Sequence, residues 1–361
     1  MLNGKIENKR IVAIDLLRAL AVILMVEGHT VHVFLNAQAR EAESAIYSLW
    51  LWLRGFTAPL FMFISGLIFT YLLIDDKFKI KEYRLKKGLR RGIFLIALGY
   101  LLRFPTLNPF RVTNISDEQI RTFFAVDALH VIGFGLISIS LTSIFLNKIF
   151  RTKNPAIYFA LIALTVFSLG NFIGEIVTLK NLPRFIRAYF DYSVGSIFIL
   201  FPWLGYLFLG ASIALLIKKF RTNENVLRIF AYVSILIFSV ALIYRAFYGE
   251  NYWSILIERS SFVVSLYFLT DRITKNLANV PAPVLSLGKN TLLIYVVHLV
   301  ILYGSPLSLG FYQIIPQSLT TLQTVFAVLL METIMFYIAM LKEKNTLNSL
   351  LKFKKAYVEI E

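Results

Sequence analysis

The sequence predicts an all-α fold: a polytopic transmembrane bundle of about ten spanning helices with both termini in the cytoplasm. Three observations predict it. Of 361 residues, 58% are hydrophobic and only 16% charged, and mean hydropathy is +0.70. A soluble domain runs nearer ~45–50% apolar and ~25% charged. Apolar runs of about 20 residues recur along the whole chain, each long enough to cross ~30 Å of hydrocarbon. Finally, Lys and Arg collect in alternate segments between those runs, as the positive-inside rule requires.

The runs lie near 11–35, 56–74, 92–104, 122–147, 156–178, 194–217, 226–247, 252–270, 284–304 and 320–341. With the N-terminus inside, 26 of the 37 basic residues fall in inner segments and 10 in outer ones. The remaining one, Arg18, is within a run. An odd number of spans would break that asymmetry. The net charge of +16 therefore reflects topology, not nucleic-acid binding. An aromatic segment at 43–54, with AIYSLWLWLR in it, is set apart as an interfacial piece. High aromatic content, 32 Phe and 18 Tyr, suits lipid-facing and interface positions. No cysteine is present, which excludes disulfides and thiol catalysis. The polar start MLNGKIENKR reads as a short tail before an uncleaved first span. No linker or fixed-period repeat divides the chain, so residues 1–361 read as one integral-membrane domain, with 1–10 and 342–361 as cytoplasmic tails.

The first run carries the chemistry. Residues 14–35 read IDLLRALAVILMVEGHTVHVFL, and Asp15, Arg18, Glu27, His29 and His32 interrupt the apolar pattern. A charge at a bilayer centre costs roughly 3 kcal/mol or more, so such groups mark a functional interior. On a helix, eleven residues make three turns plus about 20°, so Arg18 and His29 share a face about 16 Å apart along the axis. Asp15 lies one turn before Arg18 and can pair with it. His32 follows His29 on the same stripe. Glu27 lies off the stripe and needs a partner on another helix. Arg18 keeps its charge and needs an anionic partner; His29 can stay neutral and accept a proton, as a general base does. A metal site built from His29 and His32 lacks a third ligand.

Further polar positions sit in later runs. Asp127 and His130 are three apart in FFAVDALHVIGFGLIS, a pairing that either orients an imidazole or ties helices together. His298 is the one histidine of the ninth run. Glu258, Arg259 and Glu332 read first as structural groups, and Gly66, Gly205 and Gly210 as close-packing positions. Nine of the ten outer cations are Arg. A guanidinium fork binds carboxylate or phosphate well, which suits an anionic acceptor and equally suits lipid headgroups.

Four blocks carry a resemblance. RIVAIDLLRALAVILMVEGHT, with Arg18, ten residues and His29, resembles the first helix of the transmembrane acyltransferase superfamily. TAPLFMFISGLIF (57–69), FPWLGYLFLG (201–210) and SLGKNTLLIYVVHLVIL (286–302) resemble its later helices, in the same order. The resemblance is to the heparan-α-glucosaminide N-acetyltransferase catalytic-domain branch, related to the acyltransferase-3 membrane proteins. Lys289 stands where Arg is usual, and Ala19 follows Arg18 where Gly is usual; no extra lumenal domain is expected before the first helix. The resemblance implies an acyl-CoA-dependent O- or N-acyltransferase of the plasma membrane. It would move an acetyl group from cytosolic acetyl-CoA to a hydroxyl or amine of a glycan or lipid-linked acceptor at the outer face. His29 and Glu27 are its expected catalytic residues. Arg18, Asp15, Asp127, His130, His298 and Lys289 are its expected substrate-binding ones, and Tyr295 is a candidate oxyanion donor. The expected partners are the bilayer, acyl-CoA and the acceptor, with no nucleic acid and no metal; a homodimer stays open. The rival reading is a polytopic transporter that uses the same buried groups as a proton or substrate path.

Overall fold

The computed structural model describes residues 12–41, 45–105, 115–147, 155–173, 181–276 and 280–358, with side chains as far as 344 except Asn276. Among these residues the chain forms helices and no named strand. They are α1 (Val12–Phe34), α2 (Ala45–Arg54), α3 (Thr57–Leu73), α4 (Glu82–Leu102), α5 (Asp117–Phe124), α6 (Ala128–Phe145), α7 (Pro155–Gly170) and α8 (Arg184–Arg187). After them come α9 (Leu200–Phe220), α10 (Glu224–Tyr248), α11 (Tyr252–Asn276), α12 (Ala282–Lys289), α13 (Thr291–Tyr303), α14 (Phe311–Ile314) and α15 (Thr321–Val358). The expected tail at 1–10 and the loop cations Lys5, Lys9, Arg10, Arg111, Lys148, Arg151, Lys153 and Lys180 lie outside the described residues.

Among the described residues five segments are long and apolar enough to cross a bilayer: Ala45–Leu73, Asp117–Phe145, Leu200–Phe220, Glu224–Tyr248 and Thr321–Lys344. The α12–α13 pair makes a sixth if counted as one broken span. This is a multi-pass membrane protein; among the described residues five or six of the ten expected spans meet that criterion of length and composition. Helices α1, α4 and α11 are long enough but carry Asp, Glu, Lys or Arg within their apolar stretch, and α7 has 16 residues.

Helices α3 and α9 cross at the centre of the bundle. A Cβ on Gly66 would lie 2.0 Å from the Leu207 carbonyl oxygen, and one on Gly210 would lie 2.0 Å from that of Phe63. Backbone here touches backbone, as small residues allow in membrane bundles. Gly205 instead faces the Phe167 ring. The close-packing reading of all three glycines holds. Around this crossing α1 buries Leu17 and Ala21 against Leu60 and Ile64 of α3 and Ile213 of α9. Outer helix α10 leaves Tyr232, Leu236, Val240, Ile243 and Phe247 exposed, an apolar face turned away from the bundle as lipid requires.

Several expected boundaries shift, each for a local reason. Segment 43–54 does not stand apart: α2 and α3 together form one 29-residue candidate span. The fourth run is broken at Ala125–Asp127, where Asp127 caps α6 by accepting from the Leu129 and His130 amides. An aspartate at that position competes with helix continuation and favours the cap. The ninth run bends by 77° between α12 and α13. Asn290 occupies the break, and its side-chain amide donates to the Ser286 carbonyl at 3.0 Å. Gly288 lets α12 end hard against α1, since a Cβ there would lie 2.2 Å from the Asp15 carbonyl oxygen. The basic stretch before the third run is the first half of α4, because Lys, Arg, Leu and Glu are good helix formers. At the far end, residues beyond 342 continue α15.

Gly66→Ala and Gly210→Ala should each lower stability in detergent by about 3 kcal/mol, the upper end for overpacking, because the atom met is backbone. Gly205→Ala should cost less, since a ring can turn aside. Thermal unfolding of the three purified variants checks the order.

Candidate active site

Two cavities lie along α1. The smaller, about 170 Å³, is lined by Arg18 and Thr291 together with Arg84, Lys87 and Arg91 of α4. Arg84, Lys87 and Arg91 are spaced i, i+3 and i+7, so α4 presents one basic face to it. Arg18 donates from Nη2 to Thr291 Oγ1 at 2.9 Å, and its Nη1 lies 3.7 Å from Asp15 Oδ1. The 77° bend makes this contact: it sets Thr291, the first residue of α13, and with it the positive end of that helix, beside Arg18.

The larger cavity, about 1100 Å³, lies at the other end of α1 and includes His29 and His32. Four arginines line it, Arg54, Arg103, Arg121 and Arg259, against the two carboxylates Asp127 and Glu118. Arg103 Nε is 3.4 Å from Asp127 Oδ2, and Arg121 donates to the Ser193 carbonyl at 2.9 Å. Arg54 stacks over the Trp50 ring at 5.3 Å. Neither Arg54 nor Arg259 makes an ion pair among the described residues. Arg54 also packs against α1 one residue from His29: a Cβ on Gly28 would lie 3.3 Å from its Nε.

Arg18 and His29 thus open to separate chambers rather than to one continuous stripe. Phe61 of α3 lines both. Its ring stacks on Tyr295 of α13, centroids 6.2 Å apart and 13° between planes, and Tyr295 faces the larger cavity. A two-ring wall therefore stands between the chambers.

Around His29 the groups come from α1 and α13. The Tyr303 hydroxyl is 3.1 Å from His29 Nδ1 and 2.9 Å from His32 Nδ1. His298 lies beside His29 with ring centroids 5.4 Å apart. Its Nδ1 donates to the Ile294 carbonyl at 2.7 Å, and its buried Nε2 has no partner. The sequence reading missed Tyr303 and Arg54. No local spacing marked Tyr303, since five residues after His298 is about 140° round the helix.

Other expected site residues sit elsewhere. Asp127 lines the larger cavity and, as the cap of α6, binds His130 Nδ1 at 2.8 Å. His130 itself is fully buried, its ring edge-on to Tyr100 with centroids 4.4 Å apart, and Nε2 is unpartnered. Glu27 lines neither cavity; it accepts a hydrogen bond from Trp50 Nε1 of α2. That is the partner on another helix which its off-stripe angle demanded. Trp52, two residues on, donates to Glu258 Oε1 at 2.6 Å, and Arg245 closes on the same carboxylate at 3.1 Å. Lys289 lines neither cavity and pairs with Glu343 of α15 at 2.7 Å. Among the described residues no group of three His, Asp or Glu side chains is placed to hold a metal ion.

Residues 10–245 match the family described as heparan-alpha-glucosaminide N-acetyltransferase, catalytic. The match takes in α1 with Arg18 and His29, the basic face of α4 and the α3–α9 crossing; α11, α12 and α13 lie beyond it. No curated protein matches the chain.

Glu27→Gln keeps an oxygen that can accept from Trp50, and should leave both folding and turnover close to wild type. Trp50→Phe strands a half-buried carboxylate and should cost about 1–3 kcal/mol. Thermal unfolding together with acetyl-transfer rates on both variants separates a structural Glu27 from a reacting one.

Proposed function

We propose, because the chain belongs to the heparan-alpha-glucosaminide N-acetyltransferase catalytic family, that this membrane acetyltransferase takes its acetyl group from acetyl-CoA at the Arg18 cavity. It delivers the group to a hydroxyl or amine in the His29 cavity. The observation that carries the reading is the pair of chambers strung along α1, one basic and small, the other large and arginine-lined, meeting at Phe61. Helices α1, α4, α7 and α11 cross the bilayer with the six more apolar spans. That makes ten, with both termini cytoplasmic in the plasma membrane and the whole chain acting as one domain.

In this reading Arg84, Lys87 and Arg91 hold the donor's phosphates, since clustered cations draw and bind phosphate. Arg18, steadied by Thr291 and Asp15, takes the polar start of the pantetheine arm. The arm is narrow, and a turn of the Phe61 ring away from Tyr295 lets the thioester reach His29. His29 removes the proton of the acceptor as its oxygen or nitrogen attacks the thioester carbon. The carbon–sulfur bond breaks, and the thiolate takes up a proton. Tyr295 faces the chamber from the wall and donates to the oxyanion. Holding both reactants in fixed chambers supplies the orientation that a free encounter lacks.

The acceptor carries negative charge. Among the described residues Arg54 and Arg259 face the larger cavity without an ion-pair partner, and an arginine in a spanning helix that lacks an internal anion is costly unless a ligand or water meets it. A glycan bearing carboxylate or sulfate groups beside the attacking amine or hydroxyl, or a lipid-linked phosphate, satisfies them.

A transporter reading draws on one observation, the broken α12–α13 helix, since discontinuous helices build substrate sites in carriers. Solute uptake into proteoliposomes without acetyl-CoA consumption would favour it.

Purified protein should transfer labelled acetyl from acetyl-CoA to glucosamine-terminated acceptors. His29→Ala should cut the rate about 10²–10⁴-fold, the usual worth of a general base, with unfolding temperature unchanged; full turnover in that variant removes His29 from the chemistry. Arg18→Ala should raise KM for acetyl-CoA by about tenfold or more, as expected for a lost charge-assisted bond. Arg259→Gln should raise KM for sulfated or uronate-bearing acceptors and leave neutral glucosamine unaffected.

A further inference from the structure

Tyr303 touches two histidines that the proposed mechanism treats unequally. Its hydroxyl lies within hydrogen-bond reach of Nδ1 of both His29 and His32. A phenol has one proton to donate. With all three groups neutral, one imidazole can donate to the oxygen while the other accepts from it. The arrangement has two states of opposite polarity, and passing a proton through it converts one into the other.

The surroundings give that property a use. If His29 alone took a proton and later returned it, it would stand as an imidazolium between the two events. Arg54 packs one residue away, and the His298 ring is 5.4 Å off. A second positive charge there, close to the Arg54 guanidinium, is costly. His32, by contrast, sits near the end of α1, and its own carbonyl accepts from Arg40 Nη2 at 2.7 Å. Its ring stacks on Tyr312 at 6.1 Å and lines the large cavity. Tyr303 is the last residue of α13, and its carbonyl accepts from Gln313 Nε2 at 3.1 Å. The backbone at Tyr303 is thus tied to Gln313 of α14.

We infer that His29, Tyr303 and His32 form a proton wire that keeps His29 neutral through the transfer, an inference that rests on His29 acting as the base. At the start His29 Nδ1–H donates to Tyr303, and Tyr303 donates to His32 Nδ1. The acceptor O–H breaks as its oxygen bonds to the acyl carbon, and that proton arrives at His29 Nε2. The Nδ1 proton of His29 moves to Tyr303 oxygen, the Tyr303 proton moves to His32 Nδ1, and His32 Nε2–H passes to water. The carbon–sulfur bond then breaks. The thiolate draws the proton from His29 Nε2, and the wire refills from water through His32 in the reverse sense. The wire ends in its starting state, with no electron transferred. An ammonium acceptor releases one further proton to water.

Initial rates in H2O–D2O mixtures test this on the purified full-length protein with acetyl-CoA. The wild type should show a curved dependence on deuterium fraction, the mark of several protons moving together. Tyr303→Phe keeps the ring and should lower kcat about tenfold or more, leave KM for acetyl-CoA unchanged and straighten the curve. His32→Gln should match it, and the double variant should be no slower than the slower single one, because both break one chain. His32→Ala should regain rate with added imidazole. Tyr303→Phe with full kcat and the same curvature, or additive losses in the double variant, overturns the wire while an inactive His29→Ala leaves the base in place. An active His29→Ala overturns the base itself, and the wire with it.

Discussion

The cost of placing ionisable groups in hydrocarbon governs this structure. Helix α1 carries five of them, and four are answered from α2 or α13. Thr291 of α13 meets Arg18, Trp50 of α2 meets Glu27, and Tyr303 at the far end of α13 meets both histidines. Asp15 stands at 3.7 Å from Arg18 on the same helix. In water such bonds contribute little individually; in a bilayer an unmet partner costs the full desolvation of the group. The polar residues of α1 therefore do two things at once. They line the chambers, and they fix where α2 and α13 dock.

The same constraint accounts for the irregular backbone. Helix breaks are tolerated at membrane depth where protein or a cavity takes up the freed groups. At Asn290 the side-chain amide closes on the Ser286 carbonyl, and the bend delivers Thr291 to Arg18. At Asp127 the carboxylate takes the freed amides of α6 and also meets His130 and Arg103. Both breaks lie beside a cavity. The uninterrupted glycine contact of α3 with α9 supplies the rigid centre against which these bent elements are held.

Separation of the chambers matters chemically. In the proposed reaction a donor with several phosphates and an anionic acceptor would repel one another, and two basic cavities on either side of Phe61 would let both bind. The cations that serve them are built differently. Apart from Arg18 of α1, those of the smaller chamber sit on one face of α4, while those of the larger come from four separate segments, at Arg54, Arg103, Arg121 and Arg259. The first set is local in sequence; the second exists only through packing.

What the sequence determined follows from short-range geometry. Apolar runs of bilayer-spanning length follow from helix pitch, so the all-α membrane class was legible there, while the acyltransferase family was legible only through the resemblance of four sequence blocks. Asp127 with His130 was legible as a pair, though the cap between them was read as continuous helix. The tertiary structure alone decided which groups meet α1. His29 and Tyr303 are 274 positions apart, and no local periodicity links them. It also decided that Glu27 and Lys289 are engaged away from the cavities, that Arg54 lies against Gly28, and that Phe61 divides the chambers. Those outcomes depend on crossing angles and close approaches between helices, which are set by the volumes of side chains far apart in the chain.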